Sequence, residues 1–122
     1  MKKGFTLVEL LAVITVLGIV IVIATVSVNN IMDQSRKKAV EATARSIIRA
    51  SELYSFDNEY YESMSVLDLR LSYDGTKPES GTVQTNDEGD TRIAILLNGW
   101  CATKGYSDME VTTTKTVICN MP

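Results

Sequence analysis

Leu10 to Val28 form a run of nineteen residues without a charge. As a helix they rise about 28 Å, enough to cross the hydrocarbon core of a bilayer. Many are β-branched, which lowers helix propensity in water. In lipid the backbone must satisfy its own polar groups, so helix remains the expected state. Eighteen of the 24 residues from Phe5 to Val28 are apolar, against 36 of the 94 in residues 29–122. The second figure is an ordinary to lean soluble content. The chain therefore reads as one apolar N-terminal stretch joined to one small soluble module. Its 122 residues suit a single domain.

Composition then removes whole classes of chemistry. The chain has no His, which excludes imidazole acid–base catalysis, His triads and His-containing metal sites. Two Cys cannot build a four-thiolate zinc site. The net charge of −3 gives no overall basic field for nucleic acid. No pattern calls for a cofactor, and no constellation supports an enzyme. Asp87, Glu88 and Asp90 lack the spacing of an EF-hand and read as a solvated acidic turn.

Glu9 is the anomaly in the apolar stretch. A carboxylate at the head of a hydrophobic segment is costly, and such groups pair with a cation or mark a function. No Lys or Arg lies within a helical turn of it, so the expected partner is a cation from elsewhere. An α-amino group freed by cleavage is one such cation.

Lys2-Lys3-Gly4-Phe5-Thr6-Leu7-Val8-Glu9-Leu10-Leu11 resembles the class III signal of type IV pilins and pseudopilins. The resemblance implies that a membrane prepilin peptidase and methyltransferase cuts between Gly4 and Phe5 and N-methylates Phe5. Residues 1–4 are then a leader peptide. Glu9 takes the place of the family's acidic residue, which pairs with the N-terminal amine of a neighbouring subunit during assembly. Residues 5–28 are implied to be a membrane anchor before assembly and the packed core of a homopolymeric filament afterwards. An assembly platform and ATPase are the further partners implied. Localisation follows: the cytoplasmic membrane first, then an extracellular surface filament. Two features depart from the family. Val26 stands where a helix-breaking Pro is common. Arg36-Lys37-Lys38 follow the apolar run, so basic residues flank both its sides and charge counting does not orient it.

Residues 29–56 turn polar but keep a helical period, with Val40, Ala44, Ile47, Ile48 and Tyr54 on one stripe. A continuous helix from Phe5 to Phe56 is expected, about 75 Å long at 1.5 Å per residue. Arg36-Lys37-Lys38 read as a solvated face or an inter-subunit charge pair, since three charges give little counterion release on DNA. Direct nucleic-acid binding by the subunit is therefore set aside.

Residues 57–80 carry turn chemistry and read as a connecting loop, with a short helical or strand piece at Val66–Leu71. Tyr54, Tyr60, Tyr61 and Tyr73 read as half-buried rings with wet hydroxyls rather than adhesive groups. Residues 81–122 read as β. Strands are expected at Thr82–Thr85, Thr91–Leu97, Trp100–Thr103 and Glu110–Cys119, with Asn98-Gly99 as a type I′ hairpin turn. The fold class is α+β. A long N-terminal helix, apolar in its first half, packs by its second half on an antiparallel sheet of three or four strands. Trp100 is expected to plug the helix–sheet core.

Cys101 and Cys119 are either a disulfide or two free thiols. Across 18 residues a bond stabilises by about 3 kcal/mol in the entropic account. The pilin resemblance implies a C-terminal disulfide loop. The Asn-Gly-Trp-Cys hairpin looks most like pilins of Gram-positive bacteria. The function expected is a structural subunit of a type IV pilus-like filament for adhesion, motility or a related role. The alternatives are a pseudopilin of a competence or secretion system, and a membrane-anchored extracellular binding domain.

Overall fold

The computed structural model describes residues 6–122. Gly4 and Phe5, with the junction between them, lie outside the described residues. One helix, α1, runs Leu7–Asn58. Five strands follow: β1 Met64–Ser65, β2 Ser80–Thr85, β3 Thr91–Leu97, β4 Trp100–Lys104 and β5 Thr112–Thr114. They form one antiparallel meander in the order β1-β2-β3-β4-β5. The chain divides into two compact units, Met1–Ser35 and Arg36–Pro122.

In the first unit the helix is exposed throughout its described side chains. Two of its hydroxyls are satisfied within the helix. The Thr15 hydroxyl donates to the Leu11 carbonyl at 2.7 Å, and the Thr25 hydroxyl to that of Ile21 at 2.8 Å. Such back-bonding is what a hydroxyl needs where no water is present. By length and composition the helix can cross a membrane. Its backbone stays helical through position 26, where pilins often carry the Pro. The side chain there lies outside the described residues.

In the second unit α1 packs on the sheet. Val40, Ala44 and Ile47 meet Val83, Ile93, Ile95, Leu97 and Ala102, with Met64, Val66 and Leu71 closing the core from the connection. The expected stripe is the buried face, with Ile48 and Tyr54 at its margins. The same face also buries Thr43, Ser51 and Ser55. These sit four residues apart with Ile47, so three of the four residues in that column are polar.

The hydroxyls are relayed across the layer. Ser51 and Thr85 meet at 3.0 Å, Thr85 and Thr91 at 2.9 Å, and Thr91 donates to Glu52 Oε1 at 3.2 Å. The carboxylate is acceptor-only when ionised, which sets the relay as Ser51 to Thr85 to Thr91 to Glu52. Among the described residues no buried side-chain polar atom lacks a partner.

Three expectations for the sheet change. It has five strands, because the two-residue β1 pairs with Thr82 and Val83 and is too short to show a period. Val66–Leu71 is a pair of turns, with the Asp68 amide on the Ser65 carbonyl and the Leu71 amide on that of Asp68. The last strand stops at Thr114 rather than Cys119.

That third difference has a geometric cause. Thr114 lies opposite Cys101. A strand continuing for five more residues would carry Cys119 about 17 Å away. Cys119 instead returns to Cys101, with Cα atoms 5.4 Å apart and a disulfide between them. In this register the bond and a strand reaching Cys119 exclude each other.

The hairpin turn has positive φ at both Asn98 (55°) and Gly99 (78°), as type I′ requires. Gly81 is the other position where side-chain absence matters. A Cβ there would run into the Ala94 carbonyl and approach Ile95 Cα to 2.8 Å, at φ +147°. Trp100 is only half-buried and packs at the core's margin, so it borders the core and does not plug it. The core centre is filled by Ile47, Ile93 and Ile95.

Replacing both Cys101 and Cys119 by Ser is expected to lower unfolding stability by about 3 kcal/mol. Denaturant titration of the full chain in detergent micelles, variant against wild type, measures it. An unchanged midpoint would show that the bond closes no loop that matters to the unfolded chain.

Candidate functional site

The head of α1 is built by four residues. Thr6 precedes the first helical turn, and its hydroxyl oxygen accepts from the Glu9 amide at 3.2 Å. In return the Thr6 amide donates to Glu9 Oε2 at 3.3 Å. This is a reciprocal capping box, which supplies acceptors to two amides that a helix end leaves bare. It also places a carboxylate in the first turn, where the helix dipole favours negative charge.

Glu9 thus has a local partner that a search for nearby cations does not find. The signal was present as Thr6-Leu7-Val8-Glu9, the Thr-x-x-Glu spacing ahead of an apolar run. The cap supplies a hydrogen bond but no counter-charge. Glu9 remains a carboxylate followed by exposed apolar residues, with Leu10 and Leu11 each about half exposed.

The soluble module presents a second set of groups. Asp68 and Arg70 form a bidentate pair, with Nη2 to Oδ2 at 2.8 Å and Nε to Oδ1 at 3.0 Å. Asp68 Oδ1 also accepts the Arg70 amide at 2.9 Å. The guanidinium carbon lies 5.5 Å from the Tyr54 ring centre and 5.1 Å from that of Tyr60. The two rings meet edge to face at 5.8 Å. Cation–π contact and ring packing therefore tie the connecting loop to the end of α1. Tyr73 donates to the Val66 carbonyl at 2.7 Å, and burial pushes its phenol up. Tyr54, Tyr60 and Tyr73 are half-buried, while Tyr61 is exposed.

Hydrogen bonds from the Arg70 side chain, then from its amide, hold the Asp68 carboxyl down from the usual 3.8 to about 2. The same bond, then the one to Tyr54, raises Arg70 further above its ordinary range.

The turn at 86–90 is organised by Asn86, whose Oδ1 accepts from the amides of Glu88 and Asp90. Asp87, Glu88 and Asp90 are solvated around it. Among the described residues no group of three or more His, Cys, Asp or Glu is placed to hold a metal. Arg36, Lys37 and Lys38 are exposed on α1. Cys101 is buried under the disulfide, and Cys119 Sγ lies 3.1 Å from the Ile95 carbonyl oxygen.

Residues 1–25 match the family of the prokaryotic N-terminal methylation motif, the class III signal of type IV pilins. The match covers about a fifth of the chain. Comparison with curated proteins and with solved structures gave no match.

The lowered Asp68 value means its contribution to loop order is present above pH 3.8 and is lost as pH falls through about 2. The Arg70 amide resonance of the full chain in micelles is expected to titrate with a midpoint near 2, and Asp68→Asn to abolish the transition. A midpoint near 3.8 would show that the pair does not hold in solution.

Proposed function

We propose that this chain is the structural subunit of a type IV pilus-like filament assembled through residues 5–28. The reading is supported by the methylation motif at 1–25, the α+β architecture, and one observation above the rest. The helix behind Glu9 exposes its apolar side chains on every face, with Ile14, Ile21 and Val22 all more than half exposed. A helix apolar all round is stable only inside lipid or among other helices.

The working sequence is physical. A prepilin peptidase removes residues 1–4 and methylates Phe5. The chain waits in the cytoplasmic membrane. An assembly platform and its ATPase then lift it out, and lipid contacts are traded for packing against neighbouring helices. Glu9 keeps a hydrogen-bonded head on the helix and gains, in the polymer, the amine of a neighbouring Phe5. Loss of Lys2 and Lys3 leaves ten basic against fifteen acidic side chains, a net −5. The modules then form an acidic sheath around the apolar helices. We assign the filament a role in adhesion or motility, with export or DNA uptake as the pseudopilin alternative.

Intact mass of the protein from its producing cell is expected to show loss of Met1–Gly4, gain of one methyl group, and two hydrogens fewer for the disulfide. An uncut, unmethylated chain would favour the membrane-anchored binding domain instead. Glu9→Ala is expected to abolish filaments, seen by electron microscopy, while the protein still accumulates in the membrane. Normal filaments from that variant would remove the role given to Glu9.

A further inference from the structure

Among the surfaces of the soluble module that expose large apolar side chains, two are complementary to each other. The first is a cleft of about 580 Å³ between the end of α1 and the β2–β3 turn. Leu53, Phe56 and Tyr61 line it, at 66, 83 and 39% exposure. Its rim carries Glu52, Asp87 and Glu88 against a single Arg49. The second surface is the C-terminal tip, where Val117 and Ile118 are 75 and 72% exposed.

The tip has properties of a ligand. It is pinned, because Cys119 next to Ile118 is bonded to Cys101 on β4. The Ile118 amide donates to Thr116 Oγ1 at 3.2 Å. A segment held in place loses little entropy on docking. Its charge is opposite to that of the cleft. Residues 111–122 contain Lys115 and no acid, and the Lys115 ammonium lies over the Trp100 ring, 5.9 Å from its centre.

We propose that Val117–Ile118 of one copy of this chain docks in the Leu53–Phe56–Tyr61 cleft of the next copy. Lys115 then faces the acidic rim. The occupant is a second copy because the complementary apolar pair and the opposite charge both lie on this chain, and each is exposed in the single molecule. The volume suits two branched side chains, being of the size that takes a small organic ligand. Burial of the aliphatic pair against Phe56 drives the contact, and the charges set its register. The two surfaces differ, so the contact is head-to-tail. Such contacts propagate as an open helical series unless the rotation closes a ring. The proposal rests on the filament reading and adds a second, extracellular contact to the one made by the helices.

The test places a benzophenone amino acid at position 118 of the full-length chain in the producing cell, followed by irradiation of sheared filaments. The expected product is a ladder of cross-linked subunits, with the cross-link on the peptide 50–70 of a neighbouring copy. Phe56→Asp, an exposed substitution whose folding circular dichroism checks, is expected to reduce the ladder at least about tenfold, as loss of a contact of about 1.4 kcal/mol would. Asp87→Lys with Glu88→Lys is expected to weaken it also, and adding Lys115→Glu to restore it. Filaments that carry no cross-link, cross-link elsewhere, or ignore Phe56→Asp would overturn the docking while leaving the filament reading intact. Cells with an uncut chain and no filaments would overturn both.

Discussion

Among the described residues nothing covers the apolar surface of the first half of α1, and the rest of the molecule answers to that fact. Every described side chain from Thr6 to Thr25 is exposed. At roughly 25 cal/mol per Å² of apolar surface, that exposure in water would outweigh the few kcal/mol by which a small module is stable. The segment therefore dictates where the protein can reside: in a bilayer, or in a polymer whose neighbours replace the lipid. The hydroxyls of Thr15 and Thr25 turn back on their own helix, so they add no unpaired polar group to either setting.

The module must be stable with a core of modest size. It does so with a narrow apolar seam, extended between helix and sheet by buried, hydrogen-bonded hydroxyls. Ser51, Thr85 and Thr91 are buried, and each donates a hydrogen bond to the next until Glu52 accepts the last. A relay of this kind stabilises only when complete, since one missing acceptor leaves a buried donor costing about 1–3 kcal/mol. The disulfide acts at the other end of the sheet, where β5 has only three residues and would hold the C-terminus weakly. It replaces strand pairing that the chain gives up when it turns back toward Cys101.

What could be read in the sequence was what repeats. The stripe through Val40, Ala44 and Ile47 has the helical period and is the buried face. Thr91–Leu97 is a short, mostly aliphatic run and is the central strand, and Asn98-Gly99 has the turn chemistry that fits its two positive φ values. What could not be read depends on distance in space. β1 is two residues, Met64 and Ser65, paired with Val83 and Thr82 far along the chain. The Arg70 clamp joins Tyr54, Tyr60 and Asp68 without a periodic mark. Trp100 was expected at the core centre by its size, but its place beside the hairpin turn leaves it at the margin, and isoleucines fill the middle. The expectation for Glu9 rested on where its counter-charge is, and it passed over the Thr-x-x-Glu spacing that gives the carboxylate a hydrogen bond at once.

That cap and a neighbour's amine do not compete for the same site on Glu9. A carboxylate has two oxygens and room for about four hydrogen bonds. The Thr6 amide occupies Oε2, which leaves Oε1 and the remaining lone pairs for a cation. The two contacts also differ in kind. The amide bond fixes the rotamer and satisfies the helix end, whereas only a cation removes the cost of holding a net charge next to hydrocarbon. On the proposed filament reading, Glu9 would be ordered without a counter-charge in the bilayer and would be ordered and paired in the polymer. The gain on assembly would then come from the charge term, with the orientation already set. A carboxylate that had to find its rotamer at the moment of pairing would lose part of that gain to side-chain entropy. On that reading the Thr6 amide, by holding the Glu9 carboxylate, would contribute to polymerisation without touching the neighbouring subunit.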